Sequence, residues 1–230
     1  MKDRWCVRCG RTTPTPYTLK VLAWRRKANL PMRSVLDLGC GNGRNLRAFQ
    51  IGSTAKKLVG FDMCVEQAQA LCNPHLCRPV KLVAGKLGVD AIPKGRYDIV
   101  LMNYCLMFLS PMERCLALLG AVVNLVPGGW LVIELYPAKD SELSTDEDCS
   151  DALEETAYLA TEEGLSVLRS SKNRMIIQRS TDARSCGGGS RILEGFDKEV
   201  KELRSYFWKN CVGGPQKPAK EPKVKYWGGK

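Results

Sequence analysis

The segment at 35–50 constrains the fold more than any other part of the chain. Its first four residues are three apolar side chains around Asp37, a pattern that predicts a short buried strand. A turn follows with glycine at every second position, at Gly39, Gly41 and Gly43. Glycine suits such a turn because a Cβ would disfavour positive φ angles and keep a ligand from the backbone. Leu46 and Phe49 come next at helical spacing, so strand, turn and helix together predict a nucleotide-type site.

The glycine spacing indicates which cofactor binds. A dinucleotide-binding turn needs its third glycine at position 44, where this chain has Arg44. The spacing Asp-x-Gly-x-Gly-x-Gly, from Asp37 to Gly43, resembles instead that of the class I S-adenosylmethionine-dependent methyltransferases. The resemblance implies S-adenosylmethionine as the cofactor, with Asp37 helping to hold its amino-acid end.

A second acidic residue lies at the distance expected for a ribose contact. Residues 57–62 predict a second strand that ends in Asp62, which lies 23 residues beyond Gly39. A carboxylate offers the paired acceptors that the cis-diol of a ribose requires. We therefore favour a ribose-binding role for Asp62 over that of an ordinary turn aspartate.

Two interpretations remain for the residue that contacts the adenine. Residues 80–84 predict a third strand, and the resemblance implies an acidic residue in the turn after it. Lys86 stands there instead, with Asp90 four residues later. Either backbone N–H groups at Lys86 and Leu87 hold the adenine, or a rearranged loop brings Asp90 to it.

The fourth predicted strand, at 97–103, is mostly apolar and is therefore expected in the centre of the sheet. Ligands bind beyond the carboxyl ends of parallel strands, so Asn103 and Tyr104 are expected to line the methyl site. The motif Asn-Tyr-Cys-Leu here differs from the Pro-Pro-aromatic motif of methyltransferases that act on exocyclic amines of DNA bases. Cys105 lies in an apolar run, which favours a buried structural thiol over a nucleophile.

The remaining predicted elements complete the fold. They are a helix at 17–30, a helix at 111–125, a turn at 126–130, a fifth strand at 131–135, and strands at 163–168 and 174–179. The turn Val126-Pro127-Gly128-Gly129 resembles the turn before strand five of the family. The resemblance implies an α/β, Rossmann-like fold: a mostly parallel seven-stranded sheet with helices on both faces and a closing antiparallel hairpin.

We predict a single domain with basic extensions. Residues 33–182 form the S-adenosylmethionine-binding domain, residues 1–32 a basic extension with a helix, and residues 183–230 a linker, an amphipathic helix and a basic disordered tail. The residues expected to contact the cofactor are Asp37, Gly39, Cys40, Gly41, Asp62, Met63, Leu87 and Asn103.

No catalytic triad or metal cluster is visible in the sequence. Methyl transfer is an in-line displacement in which positioning can supply much of the catalysis, so no dedicated base is assigned. Cys6 and Cys9 form only half of a zinc site, and His75 is the only histidine, so no metal is predicted. The scattered cysteines, odd in number, favour reduced thiols and a cytoplasmic location, and no apolar run is long enough for a membrane span.

The net charge of +11 is concentrated at the two ends of the chain. Residues 1–34 carry nine basic side chains and one acidic, and residues 186–230 carry ten and five. Basic ends suit a polyanionic partner or merely a solubilising surface. We expect a nucleic-acid acceptor, RNA or DNA, contacted by the basic helix at 17–30 and the C-terminal tail. A small-molecule acceptor is the alternative, and a non-catalytic partner subunit that uses a helix at 192–211 is a further one.

Overall fold

The computed structural model describes residues 12–72, 78–135, 165–171 and 173–181. The pair Cys6 and Cys9, together with His75, the linker, the helix at 192–211 and the C-terminal tail, therefore lies outside the described residues.

The described chain alternates between helices and strands. The elements are α1 (Pro16–Lys27), β1 (Ser34–Leu38), α2 (Arg44–Gly52), β2 (Lys57–Asp62), α3 (Glu66–Leu71), β3 (Val80–Ala84), β4 (Tyr97–Asn103), a 3₁₀ turn (Leu106–Phe108), α4 (Pro111–Val123), β5 (Leu125–Glu134), β6 (Leu165–Ser171) and β7 (Arg174–Arg179).

The strands form one seven-stranded sheet in the order β3-β2-β1-β4-β5-β7-β6. Neighbours from β3 to β5 pair in parallel, whereas β7 runs antiparallel to both β5 and β6. The predicted fold class, a mostly parallel Rossmann-like sheet with a closing antiparallel hairpin, is confirmed.

Alternate residues of the central strands face two apolar clusters, which is why these strands are buried throughout. Leu36 and Val100 belong to the cluster that includes the inner face of α4. Val35 and Ile99 belong to the other cluster, with α1 and α2. Side chains alternate across a strand, so the two clusters lie on opposite faces of the sheet and helices cover both faces, as predicted.

Helix α1 is an integral part of one of these clusters. Tyr17, Val21 and Leu22 pack there with Phe49 of α2. The helix was predicted to run to Leu30 but ends at Lys27, because Asn29 adopts a left-handed conformation with φ 51°. Such a conformation interrupts the helical hydrogen-bond series well before the proline that the prediction relied on.

The predicted turn at 126–130 is wrong, because strand β5 already starts at Leu125. Leu125 is opposite Tyr97 and Trp130 is opposite Ile99, so the intervening residues form a bulge inside the strand. Gly128 takes a φ of 74° in this bulge, after which pairing with β4 resumes at Trp130. The Pro-Gly-Gly sequence is therefore a strand irregularity and the helix before it ends at Val123, two residues earlier than predicted.

The hairpin strand predicted at 163–168 is shifted in the structure. Strand β6 spans Leu165–Ser171, so it starts two residues later than predicted and includes the first two residues of the polar segment 170–173 between the two predicted strands. Pairing with β7 reaches Ser171, opposite Arg174, so the turn is much tighter than the polar sequence suggests. Across the described ranges, none of the helices has the length and apolarity of a membrane span.

Candidate active site

The glycine turn after β1 needs its glycines for conformation and for space. Gly39, Gly41 and Gly43 have φ angles of 70°, 52° and 76°. A Cβ on Gly39 would lie 2.6 Å from Cβ of Cys105, and one on Gly43 would lie 2.7 Å from Sγ of Cys72. The turn is thus held between the residues after β4 and the end of α3, and it cannot accept larger side chains.

Asp37 is a buried carboxylate with no hydrogen-bond partner among the described residues. It is 1% exposed, and neither of its carboxylate oxygens receives a hydrogen bond. Burial, followed by the charge of Asp62, raises the pKa of Asp37 from 3.8 to about 8. Buried polar groups are almost always hydrogen-bonded, so this aspartate is a candidate for direct contact with a ligand.

Asp62, at the end of β2, is held in a fixed orientation by the backbone. Its Oδ2 accepts from the N–H of Gly41 at 2.8 Å, and its Oδ1 accepts from the N–H of Cys64 at 2.9 Å. Each carboxylate oxygen has two lone pairs, so both retain capacity for a further donor such as a hydroxyl. The structure thereby brings Asp62 directly to the glycine turn.

The loop after β3 is closed by Asp90. Its Oδ2 accepts from the N–H of Lys86 at 2.7 Å, so one of the backbone donors considered for the adenine is already bonded. The Lys86 ammonium pairs with Glu113 of α4 at 2.8 Å. Leu87 is buried in the core, which leaves only its backbone for a ligand, whereas Met63 after β2 is 58% exposed. The choice between the two adenine interpretations stays open.

The carboxyl end of β4 is covered by α1. Asn103 is buried and donates from Nδ2 to Oγ1 of Thr18 at 2.9 Å, while its Oδ1 has no partner among the described residues. The N-terminus of α1 is fixed in turn by the N–H of Thr15, which donates to Oδ1 of Asn45 at 3.0 Å. Thr18 is 0% exposed and was not predicted, because a threonine in a helix carries no signal of a contact 85 residues away.

Tyr104 is strained and lies beside a buried ion pair. Its φ is 59°, and its N–H donates to the carbonyl oxygen of Glu134 at 2.6 Å. Glu134, which is fully buried at the end of β5, pairs with Arg174 at 3.0 Å. Burial, with the Glu134 carboxylate, raises the pKa of Tyr104 to about 12, and the guanidinium carbon of Arg44 lies 5.8 Å from the tyrosine ring centre.

The cysteines near the site are mostly buried free thiols. Burial raises the pKa of Cys40 and of Cys105, so both are neutral at ordinary pH and poor nucleophiles. Cys72 and Cys115 also form no disulfide bond. Cys64, however, is disulfide-bonded, which differs from the expectation of reduced thiols. Within the described ranges, no group of three His, Cys, Asp or Glu side chains is arranged to hold a metal ion.

A scan of protein families matches residues 14–174 to a family described as "Methyltransferase domain". Among curated proteins, the chain is 35% identical over 113 residues to a tRNA U34 carboxymethyltransferase of Shewanella putrefaciens, covering 46% of this chain and 32% of the relative. It is 27% identical over 120 residues to a carboxy-S-adenosyl-L-methionine synthase of Colwellia psychrerythraea, covering 49% and 48%. The chain thus spans between a third and a half of the length of these relatives.

Solved structures of low sequence identity share the fold. A 1,6-didemethyltoxoflavin N1-methyltransferase of Burkholderia thailandensis superposes with a TM-score of 0.52 at 17% identity, covering 73% of this chain and 78% of that one. An amino pentose methyltransferase of Micromonospora echinaspora with bound S-adenosylmethionine gives 0.51 at 16% identity, covering 71% and 90%.

Proposed function

The chain belongs to the methyltransferase domain family, which here has the class I S-adenosylmethionine-dependent fold, and we propose that it transfers a methyl group to a nucleic acid. The family and the fold confirm the predicted resemblance and its cofactor. The acceptor, and the role of each site residue, are the content of the proposal.

The observation that carries the assignment of the cofactor site is the carboxylate of Asp37, which has no hydrogen-bond partner among the described residues. S-adenosylmethionine carries a net positive charge, from a sulfonium and an ammonium group against one carboxylate. A buried aspartate without a hydrogen bond, at the foot of a turn with three positive-φ glycines, fits a cationic ligand that approaches the backbone closely. When bound, S-adenosylmethionine supplies an electrophilic methyl group.

The other residues fit the same ligand. Asp62 has spare acceptor capacity at both oxygens for a ribose diol. Gly39 and Gly41 leave room for a ligand against the backbone, and the exposed Met63 would cover it from the end of β2. Asn103 has an unpartnered Oδ1 at the end of β4, where a donor group of the ligand or the acceptor would complete its hydrogen bonding.

The catalytic contribution of the chain is mainly orientation. Tyr104 has a pKa near 12, raised by burial and by its interaction with Glu134, so its hydroxyl stays protonated at neutral pH and does not serve as a base. The hydrogen bond from Asn103 to Thr18 holds helix α1 against the end of β4. A site of this kind accelerates an in-line displacement by holding the acceptor in position.

A nucleic-acid acceptor is supported by charge and by the named relative. The chain has a net charge of +11, and each phosphate that a basic side chain neutralises releases counterions and favours binding. The relative from Shewanella putrefaciens is named for action on tRNA. A small-molecule acceptor remains the second candidate, because the cover that α1 forms over Asn103 narrows the approach to the site.

A labelled-methyl assay tests the proposal. Purified full-length protein is incubated with labelled S-adenosylmethionine, or with carboxy-S-adenosylmethionine as a second donor, and cell extract treated in parallel with nuclease or protease. We expect label in macromolecules that nuclease releases and protease does not, and none with Asp37→Ala. Label confined to small molecules would establish the second candidate. Cofactor binding without any label would indicate a non-catalytic partner subunit.

A further inference from the structure

The amino-terminal edge of the sheet, opposite the candidate active site, carries a band of exposed cations from four separate segments. We call this band the basic edge, and its members are Arg26, Arg33, Lys56, Lys57, Lys94 and Arg96. Arg26 lies in the last turn of α1, and the other five lie in the first residues of β1, β2 and β4 or just before them. All six side chains are exposed.

Direct contacts bring these segments together. The N–H groups of Lys56 and Lys57 donate to the carbonyl oxygen of Arg33 at 2.8 and 3.0 Å. The Lys57 ammonium lies 4.2 Å from the ring centre of Tyr97, which follows Arg96 directly. Arg26 donates from Nη2 to the carbonyl oxygen of Gly52, where α2 ends at the same edge. The cations thus form one surface, although they are dispersed in the sequence.

Acidic side chains do not neutralise this surface in the part of the chain that the structure describes. The acid nearest to the basic edge is Asp98, which is 6% exposed. Its Oδ2 accepts from the N–H of Arg33 at 2.8 Å and from the N–H and Oγ of Ser34 at 2.9 and 3.0 Å. Its carboxylate is therefore buried and hydrogen-bonded to the residues at the start of β1.

The other described acids gather at the carboxyl edge, around the candidate active site. They are Asp37, Asp62, Glu66, Asp90, Glu113 and Glu134. Glu113 and Glu134 are paired there with Lys86 and Arg174, so the carboxyl edge carries both charges, whereas the basic edge exposes cations alone among the described residues. Strands of five to seven residues separate the two edges by about 20 Å at roughly 3.3 Å per residue. The band of exposed cations is therefore remote from the place where a methyl group would be transferred.

We propose that the basic edge is an anchoring site for the phosphate backbone of the nucleic acid whose acceptor nucleotide enters at the carboxyl edge. This inference rests on the proposed function and extends it, because it assigns affinity to one edge and chemistry to the other. It predicts that long acceptors bind by both edges and that a short oligonucleotide engages the carboxyl edge alone.

Two single variants of equal net charge test the proposal in the full-length protein. Lys56→Gln removes one charge from the basic edge, and Arg47→Gln removes one half-exposed charge from α2, away from that edge. The probes are a fluorescently labelled RNA hairpin and a DNA duplex of equal length, titrated at several salt concentrations. We expect the basic-edge variant to bind at least twofold more weakly and to reduce the salt slope by about 0.9, the value for one lost phosphate contact.

The controls distinguish failure of the anchoring site from failure of the proposed function. S-adenosylmethionine affinity, measured by calorimetry, should be unchanged in both variants, as should methylation of a short acceptor oligonucleotide. If wild-type protein neither binds nor methylates nucleic acid, the proposed function fails. If it does both and the two variants lose affinity equally, the anchoring site alone is overturned. It is likewise overturned if the basic-edge variant loses binding to phosphatidylserine vesicles but not to nucleic acid.

Discussion

Two buried aspartates on neighbouring strands show how differently the two edges of this sheet are built. Asp98, at the amino-terminal edge, accepts three hydrogen bonds at one oxygen from Arg33 and Ser34. Asp37, at the carboxyl edge, accepts none from the described residues, although it is still more deeply buried. Burial of an unpaired carboxylate is costly, and its presence at one edge only fits the proposal that this edge binds the cofactor.

Positive φ angles occur at both edges of the sheet but are concentrated at the carboxyl edge. Gly39, Gly41, Gly43 and Tyr104 all have positive φ angles there. At the amino-terminal edge Asn29 has one in the connection after α1, and Gly128 has one in a bulge of β5, where an added Cβ would meet Thr181. Strain of this kind is typical of binding sites, where the surrounding fold supports it. The comparison therefore predicts that equal substitutions at the two edges have unequal effects on cofactor binding.

The largest effect is expected from Gly39→Ala. The new Cβ would lie 2.6 Å from that of Cys105 at a φ of 70°. Strain and overpacking together should lower the free energy of unfolding by about 2–4 kcal/mol and abolish S-adenosylmethionine binding. Urea denaturation and calorimetry measure the two effects.

Gly128→Ala is the matched control at the other edge. Its φ is 74°, but its nearest neighbour is Cγ2 of Thr181 at 3.3 Å. It should cost about 1–2 kcal/mol of stability from conformation and leave cofactor affinity unchanged. An equal loss of cofactor binding in both variants would contradict the division between the edges.

The second effect compares the two hydrogen-bonded aspartates. Asp62→Ala should weaken S-adenosylmethionine binding by about 1–3 kcal/mol, because it removes the acceptors for the ribose. Asp98→Ala should instead destabilise the fold by about 1–3 kcal/mol through the unpaired N–H groups of Arg33 and Ser34. Calorimetry and thermal unfolding distinguish them, and Asp98→Asn replaces Asp98→Ala if the latter does not fold. Unchanged affinity in Asp62→Ala would reject its assignment.

The third effect is a pH dependence that belongs to Asp37. Its folded pKa is raised from 3.8 to about 8, so the folded protein holds this proton more tightly than the unfolded chain. Stability from this group is therefore complete below pH 4 and is lost as the pH rises towards 8. Asp37→Asn should remove this decline from the melting temperatures measured across that range.

Cofactor affinity should show the opposite trend for the same reason. A cation binds the ionised carboxylate, so affinity should rise by up to about tenfold per pH unit below pH 8. The amine of the cofactor titrates equally in experiments with wild type and with Asp37→Asn, so the difference between the two affinity profiles reports Asp37 alone. Parallel pH profiles for wild type and variant would show that Asp37 does not contact the cofactor.

The smallest effect is expected from Lys86→Ala. Its ammonium pairs with Glu113, and the two side chains are 51% and 22% exposed. Exposed ion pairs contribute little, so the free energy of unfolding should change by less than about 1 kcal/mol. Cofactor affinity should stay within threefold of wild type, since the Lys86 side chain is directed to Glu113 and its backbone is held by Asp90. A larger loss, measured by calorimetry, would give the lysine side chain a direct role at the adenine.

The strands were predictable because their signal is local. The bounds of β2, β3, β4 and β7 match the apolar runs seen in the sequence. The start of β5 was not predictable, since a Pro-Gly-Gly segment has the same composition in a turn and in a bulge. Only the pairing of Leu125 with Tyr97 distinguishes the two.

The candidate site was predictable in part for the same reason. Asp37, Gly39, Gly41 and Asp62 lie in short motifs whose spacing is visible, and the structure gathers them at one turn. The pair of Glu134 with Arg174 joins residues 40 positions apart across an antiparallel contact. The bond from Asn103 to Thr18 joins residues 85 apart. Such contacts depend on topology, and no periodicity in the sequence encodes them.

The contact between Gly39 and Cys105 links two segments whose substitutions are not independent. A side chain can be added at position 39 only if the one at position 105 shrinks, since their β-carbons would otherwise lie 2.6 Å apart. Gly39→Ala combined with Cys105→Gly should recover the steric part of the loss but not the conformational part. Related sequences should accordingly show covariation between these two positions, with a larger residue at one accompanied by a smaller residue at the other.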